Sequence, residues 1–100
     1  MPEMYVTARW PDGSTPRYYS PSLVVREYLD APASYPVAEF LERARSALHI
    51  ASERVRAQYG FPCSRAAATL ASIEAKASEF AHLPQAAVHV VALTDATATD

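Results

Sequence analysis

The residue best suited to act as a nucleophile is the single cysteine, Cys63. It falls in the first turn of a segment with helical patterning, where the helix dipole favours a thiolate, and Arg65 follows closely. A thiolate nucleophile also needs a positioned base, and no histidine neighbours Cys63 in sequence. The competing reading makes Cys63 a small core residue at the head of a helix stripe. The histidines His49, His82 and His89 fall on a helix, a helix end and a strand. A zinc site needs three or four converging ligands, so no metal site is expected. Glu39, Glu42, Glu53, Glu74 and Glu79 are spread along helices without the close pairing that acid–base chemistry uses. Gly13 and Gly60 are the only glycines, too few for a phosphate-cradling loop, and no serine stands in a nucleophile-elbow context. No catalytic residue is assigned and no cofactor is expected.

The aromatic residues carry more signal. Tyr18, Tyr19, Tyr28 and Tyr35 crowd the segment 18–35, with Trp10 just across a hairpin. Tyrosine and tryptophan are favoured anchors of binding surfaces. Trp10, Arg17, Tyr18, Tyr19, Arg26, Tyr28 and Tyr35 therefore form the candidate interaction surface. The alternative is local packing against a short helix with hydroxyls at the surface. Tyr5 and one of Tyr18 or Tyr19 should share the sheet face that helices leave open.

The elements that position these residues follow from periodicity. Residues 4–10 alternate, with Met4, Val6, Ala8 and Trp10 on one side, which reads as a half-buried strand. Pro11-Asp12-Gly13 supplies hairpin-turn chemistry, and residues 17–20 return as the second strand. Ser20-Pro21 resembles a helix cap followed by proline at the first helical position, so residues 22–29 read as a short helix, with strand extension as the alternative. Residues 30–34 read as a linker. From Ser34-Tyr35-Pro36 a long helix follows, its stripe being Val37, Phe40, Leu41, Ala44, Leu48, Ala51 and Val55, ending at Gly60. Pro62 opens the next helix, with Cys63, Ala66, Leu70, Ile73, Ala77 and Phe80 as its stripe and Leu83-Pro84 as its end. Three-four spacing on both stripes and a short link predict an antiparallel αα-hairpin. Ser52-Glu53-Arg54 reads as a polar helix face. Residues 87–94 are apolar on both sides and read as a central or two-side-covered strand rather than an edge, joining the N-terminal hairpin. The expected fold is α+β: N-terminal β-hairpin, short helix, αα-hairpin and a C-terminal strand completing a three-stranded sheet, in the order ββαααβ. One domain spans 1–100, with residues 95–100 a frayed tail.

The formal net charge is −2 over 100 residues, with acids and bases interleaved and no basic stripe. Phosphate-backbone binding therefore lacks its electrostatic footprint, and no nucleic acid is expected as a partner. The longest apolar runs are too short to span a bilayer, and the N-terminus lacks a secretory pattern, so no membrane association and a cytoplasmic setting are expected.

Several blocks in order carry a family resemblance: Arg9-Trp10-Pro11-Asp12-Gly13-Ser14, Tyr19-Ser20-Pro21-Ser22-Leu23-Val24, and Ala51-Ser52-Glu53-Arg54-Val55 with Tyr59-Gly60-Phe61 and Cys63. Together they resemble a small family of bacterial nitrogen-starvation-response proteins of about this length. Its genes lie in a cluster with a nitrilase, a radical-SAM protein, an acetyltransferase-like protein and a flavoprotein. The resemblance implies a setting, nitrogen or nitrile assimilation, and carries over no activity and no site residue. The combined expectation is a small non-catalytic accessory protein that binds a protein partner, such as an enzyme of the same gene cluster. A homodimer is compatible with the surface that a three-stranded sheet leaves open. The alternative is a small enzyme or ligand-binding protein using Cys63 or a tyrosine-lined pocket.

Overall fold

The computed structural model describes residues 3–83 and 85–95. In chain order its elements are β1 (Met4–Arg9), β2 (Arg17–Ser20), a short 3-10 helix (Leu23–Glu27), β3 (Ala33–Pro36), α1 (Val37–Tyr59), α2 (Ser64–Ser78) and β4 (Ala87–Asp95). The class is α+β, as expected, but the antiparallel sheet has four strands in the order β2-β1-β4-β3.

The additional strand, β3, comes from a segment read as a linker and helix entry. Proline disfavours helical backbone in the residue before it, so Tyr35 ahead of Pro36 stays extended. Tyr35 pairs with Val88 and turns its ring into the core. The helix begins only at Val37, with Pro36 as its cap residue. The short helix also differs from expectation. Ser22, not Ser20, is its cap, accepting the Val24 N–H at 3.2 Å, while the Ser20 hydroxyl donates to the Ser22 carbonyl. β4 lies between β1 and β3, the central place its apolar character predicted. Its register slips where Thr7 faces Ala92 and Ala8 faces Val90, so Val91 is the extra residue of a bulge. Asp95, expected in the frayed tail, pairs with Met4 at the end of β4. Residues 96–100, and Pro84 at the expected end of the second helix, lie outside the described residues; α2 itself ends earlier, at Ser78.

The helices follow the predicted stripes in part: Leu41, Val55, Cys63 and Leu70 are only partly buried, while Ala47 and Thr69, outside the predicted stripes, are buried. Gly60 at φ +86° ends α1 in the left-handed region, where a Cβ would be strained. Val37, Phe40, Ala44, Ala47, Leu48 and Ala51 are the buried residues of α1, and Ala66, Thr69, Ile73 and Ala77 those of α2. These face Met4, Val6, Ala8, Val88 and Val90 from the sheet. At the centre stands Trp10, 1% exposed. Its ring meets Phe40 edge-on at 5.5 Å and stacks on Phe80 at 5.9 Å, and its indole N–H donates to the Tyr18 hydroxyl at 2.9 Å. Among the described residues no helix is long and apolar enough to cross a membrane.

The hairpin turn is closed by Gly13 N–H donating to the Trp10 carbonyl at 2.9 Å, with Gly13 at φ +87°. Asp12 accepts from the backbone and hydroxyl of Ser14 and from Lys76 of α2, which clasps the turn to the helix. The Lys76 bond and the Ser14 bonds hold the Asp12 carboxyl far below its ordinary value of 3.8.

Two outcomes follow from this architecture. Tyr18→Phe keeps the ring but leaves the buried indole N–H without an acceptor, a loss of about 1–3 kcal/mol. A lower urea midpoint in circular dichroism, with the slope unchanged, is the expected result. For Asp12, a depressed folded-state pKa means that its stabilisation is present above pH 3.8 and lost as pH falls below it. Asp12→Asn should therefore be less stable than wild type at neutral pH. The gap should narrow below pH 3.8, read as thermal midpoints across an acid titration.

Candidate functional site

A strand at a sheet edge leaves every second residue's N–H and C=O turned outward. β2 is such an edge. The Ala8 N–H donates to the Pro16 carbonyl at 3.2 Å, which sets the phase of the ladder. Tyr18 opposite Val6 and Ser20 opposite Met4 then bond across to β1, so the backbone groups of Arg17 and Tyr19 point away from the sheet. The other edge, β3, is four residues long and ends in Pro36, a residue with no N–H to offer.

The side chains of Arg17 and Tyr19 stand on the sheet face opposite the helices, beside Thr7 and Tyr5. Tyr5 and Tyr19 meet edge-to-face at 6.1 Å. The Arg17 guanidinium lies 4.1 Å over the Tyr5 ring, and that of Arg65 lies 3.6 Å over the Tyr19 ring. Arg65 reaches there from the first turn of α2, past the edge of β2, and the Tyr5 hydroxyl, with nearby Tyr19 and Glu3, raises its pKa. The Tyr19 hydroxyl donates to Glu3. Burial, then that carboxylate, pushes the Tyr19 phenol well above its ordinary range, so it remains a donor at neutral pH.

Between the β2 edge and α2 runs an open groove of about 690 Å³. Arg65, Ala68, Thr69, Ser72 and Lys76 form its helical wall, and Ser14, Thr15 and Pro16 lie at the hairpin end. The size falls within the range of ligand and peptide clefts. Among the described residues, three cations and no acid line it. Lys76 is engaged by Asp12 and, at 3.7 Å, by Glu79. Arg17 and Arg65 have no carboxylate within ion-pair distance among the described residues.

The structure divides the seven residues of the candidate surface. Arg17 and Tyr19 come together at the groove. Tyr19, rather than Tyr18, shares the open face with Tyr5. Trp10, Tyr18 and Tyr35 are buried in the core, which corrects their reading as surface anchors: strand alternation turns each toward the helices. Tyr28 is half-buried, its carbonyl accepting from Arg43 at 3.0 Å. The Tyr35 hydroxyl accepts the Asp30 N–H at 2.9 Å, and Arg43 lies 4.9 Å over its ring. These contacts pin the 28–35 segment to α1. Arg26 is exposed and apart from the groove. Cys63 is the cap residue of α2, its Sγ accepting the Ala66 N–H at 3.4 Å, and packs half-buried against the core.

Two features escaped the sequence reading. Arg65, Ala68, Ser72 and Lys76 recur at three- and four-residue steps beside the apolar stripe, a second stripe whose small and cationic character was its signal. Ser34 Oγ and His89 Nδ1 meet at 2.9 Å on the open face. Among the described residues no carboxylate hydrogen-bonds to the imidazole to orient it as a nucleophile's base requires. No group of three or more described His, Cys, Asp or Glu residues could hold a metal ion.

A family model described as nitrogen starvation-induced protein NitG matches residues 5–93. The match spans most of the chain, which belongs to this family. No curated protein and no solved structure matches it.

The place of Cys63 yields a direct check on thiol chemistry. A hydroxyl is a stronger helix cap acceptor than a thiol, so Cys63→Ser should fold normally and gain about 0.5 kcal/mol at most. Its thermal midpoint should match or exceed wild type. Loss of the nitrogen-starvation phenotype in that well-folded variant would instead assign a role to the sulfur.

Proposed function

We propose that this member of the nitrogen starvation-induced family is a small cytoplasmic accessory protein without catalytic activity of its own, acting by holding a partner protein against the β2 edge. The partner we propose is an enzyme of nitrogen or nitrile assimilation, in keeping with the gene setting that the family resemblance implies. A single domain carries the whole function in this reading.

One observation carries the proposal: the outward backbone groups of Arg17 and Tyr19 border a groove already walled by a helix. An extended segment laid there gains main-chain hydrogen bonds from the strand and side-chain contacts from the wall, the general logic of strand addition. Free edges invite aggregation, and proteins commonly blunt them. Here the outward backbone groups of Arg17 and Tyr19 stand beside fixed aromatic and cationic side chains, which fits a recognition surface. The same feature supports a second reading, a small-ligand site lined by Tyr5 and Tyr19.

The test is affinity capture from nitrogen-starved cells, comparing wild type with Tyr19→Pro and Tyr19→Leu. Proline removes an outward N–H without touching the bonds to β1, since edge positions tolerate it. Wild type should retain a specific enzyme that Tyr19→Pro loses by about tenfold, a difference of about 1.4 kcal/mol, while Tyr19→Leu retains more than the proline variant. Recovery of free protein only, from wild type as from variants, would refute the accessory role.

A further inference from the structure

The geometry points to an acidic, extended segment of the partner as the occupant of the β2–α2 groove, with carboxylates at alternate positions meeting Arg17 and Arg65. This inference rests on the edge-binding reading and specifies the chemistry that would select the partner.

Among the described residues, the groove is lined by Arg17, Arg65 and Lys76 and by no acidic residue. Of the nearby carboxylates, Glu3 accepts the Tyr19 hydroxyl, whereas Asp12 and Glu79 engage Lys76. Among the described residues, then, neither guanidinium has a carboxylate within ion-pair distance, and nearby Glu3 is engaged by the Tyr19 hydroxyl. Their positions are fixed by aromatic faces, 4.1 Å over Tyr5 and 3.6 Å over Tyr19. Stacking consumes a guanidinium's face and leaves its in-plane N–H donors able to fork onto a carboxylate.

Strand geometry then sets the spacing. A segment pairing with β2 places two of its residues directly opposite Arg17 and Tyr19, where the outward backbone groups are. Side chains at those two positions emerge on the same face as Arg17 and Tyr19, with Cβ atoms about 5 Å from their neighbours. Acidic residues there reach Arg17 directly and Arg65 over the Tyr19 ring. The residue between them points the other way, toward Ala68, Thr69 and Ser72. Those small side chains leave room for an apolar residue. The expected motif is acidic–apolar–acidic in extended conformation.

The experiment uses the full chain and two synthetic peptides, acetyl-Glu-Val-Glu-Val-Glu-amide and its glutamine counterpart, followed by NMR and amide hydrogen exchange. The acidic peptide should bind saturably and slow exchange at the Arg17 and Tyr19 amides. The glutamine peptide should bind about tenfold more weakly. Arg17→Gln/Arg65→Gln, with folding checked by circular dichroism, should lose the same factor for the acidic peptide and cease to distinguish the two; Arg17→Gln alone should lose part of it. Raising salt should weaken the acidic peptide selectively. Equal binding of both peptides, or no saturable binding of either, overturns the inference. So does glutarate giving the same shifts without protecting the Arg17 and Tyr19 amides, which identifies a small-anion site. Protection that instead rises with protein concentration alone identifies a second copy as the occupant and likewise overturns it. If the double arginine variant still captures the cellular enzyme while Tyr19→Pro does not, the acidic-segment inference falls and the edge-binding reading stands.

Discussion

The packing around Trp10 is the constraint on which the other arrangements depend. This one side chain follows directly on β1, bonds to Tyr18 of β2, meets Phe40 of α1 edge-on and stacks on Phe80 just beyond α2. Large aromatic residues contribute apolar burial and geometric preference together, and a buried indole must also find an acceptor. Those three demands fix the sheet edge, the first helix and the end of the second helix relative to one point. The groove follows as a consequence, because its two sides are β2 and α2. The Asp12–Lys76 clasp then ties the hairpin turn to the same helix from the solvent side, where an exposed pair contributes orientation more than stability.

Covalent order and spatial role diverge most at the two sheet edges. β3, as short as β2, ends in proline, which removes one outward N–H and blunts it. β2 carries an alternation of opposite purpose: Tyr18 and Ser20 serve the core, while Arg17 and Tyr19 serve the open face and turn their backbone outward. Neighbouring tyrosines of identical chemistry thus have unrelated functions, and the strand period alone separates them. The stacked Arg17–Tyr5 and Arg65–Tyr19 pairs join β1, β2 and α2 on the face the helices do not cover.

Much of the fold was readable from local pattern. Periodicity placed both helices, Gly60 ended the first, and the doubly apolar run of residues 87–94 announced a central strand. These signals are local, since each arises from backbone preference and from the burial of one stripe. β3 was missed because its strand character depends on pairing with β4, more than fifty residues away, while Ser34-Tyr35-Pro36 by itself resembles a helix entry. The aromatic crowding was visible but could not be apportioned, because whether a ring lies in the core or on the surface depends on the strand's phase relative to helices elsewhere in the chain.

The sequence by itself determined the α+β class, the helical hairpin, the turn at Gly13 and the absence of a recognisable catalytic motif, all of which follow from residue type and short spacing. The family resemblance rested on blocks between Arg9 and Cys63, and the family model matches residues 5–93. Only the tertiary structure decided that Cys63 caps a helix, that Trp10 and Tyr18 are core, and that Arg65 reaches round a strand edge to lie over Tyr19. The physical reason is that a groove belongs to no single segment. It exists where a sheet edge and a helix separated by more than forty residues are held side by side, and its charge is the sum of residues that are never neighbours in the chain.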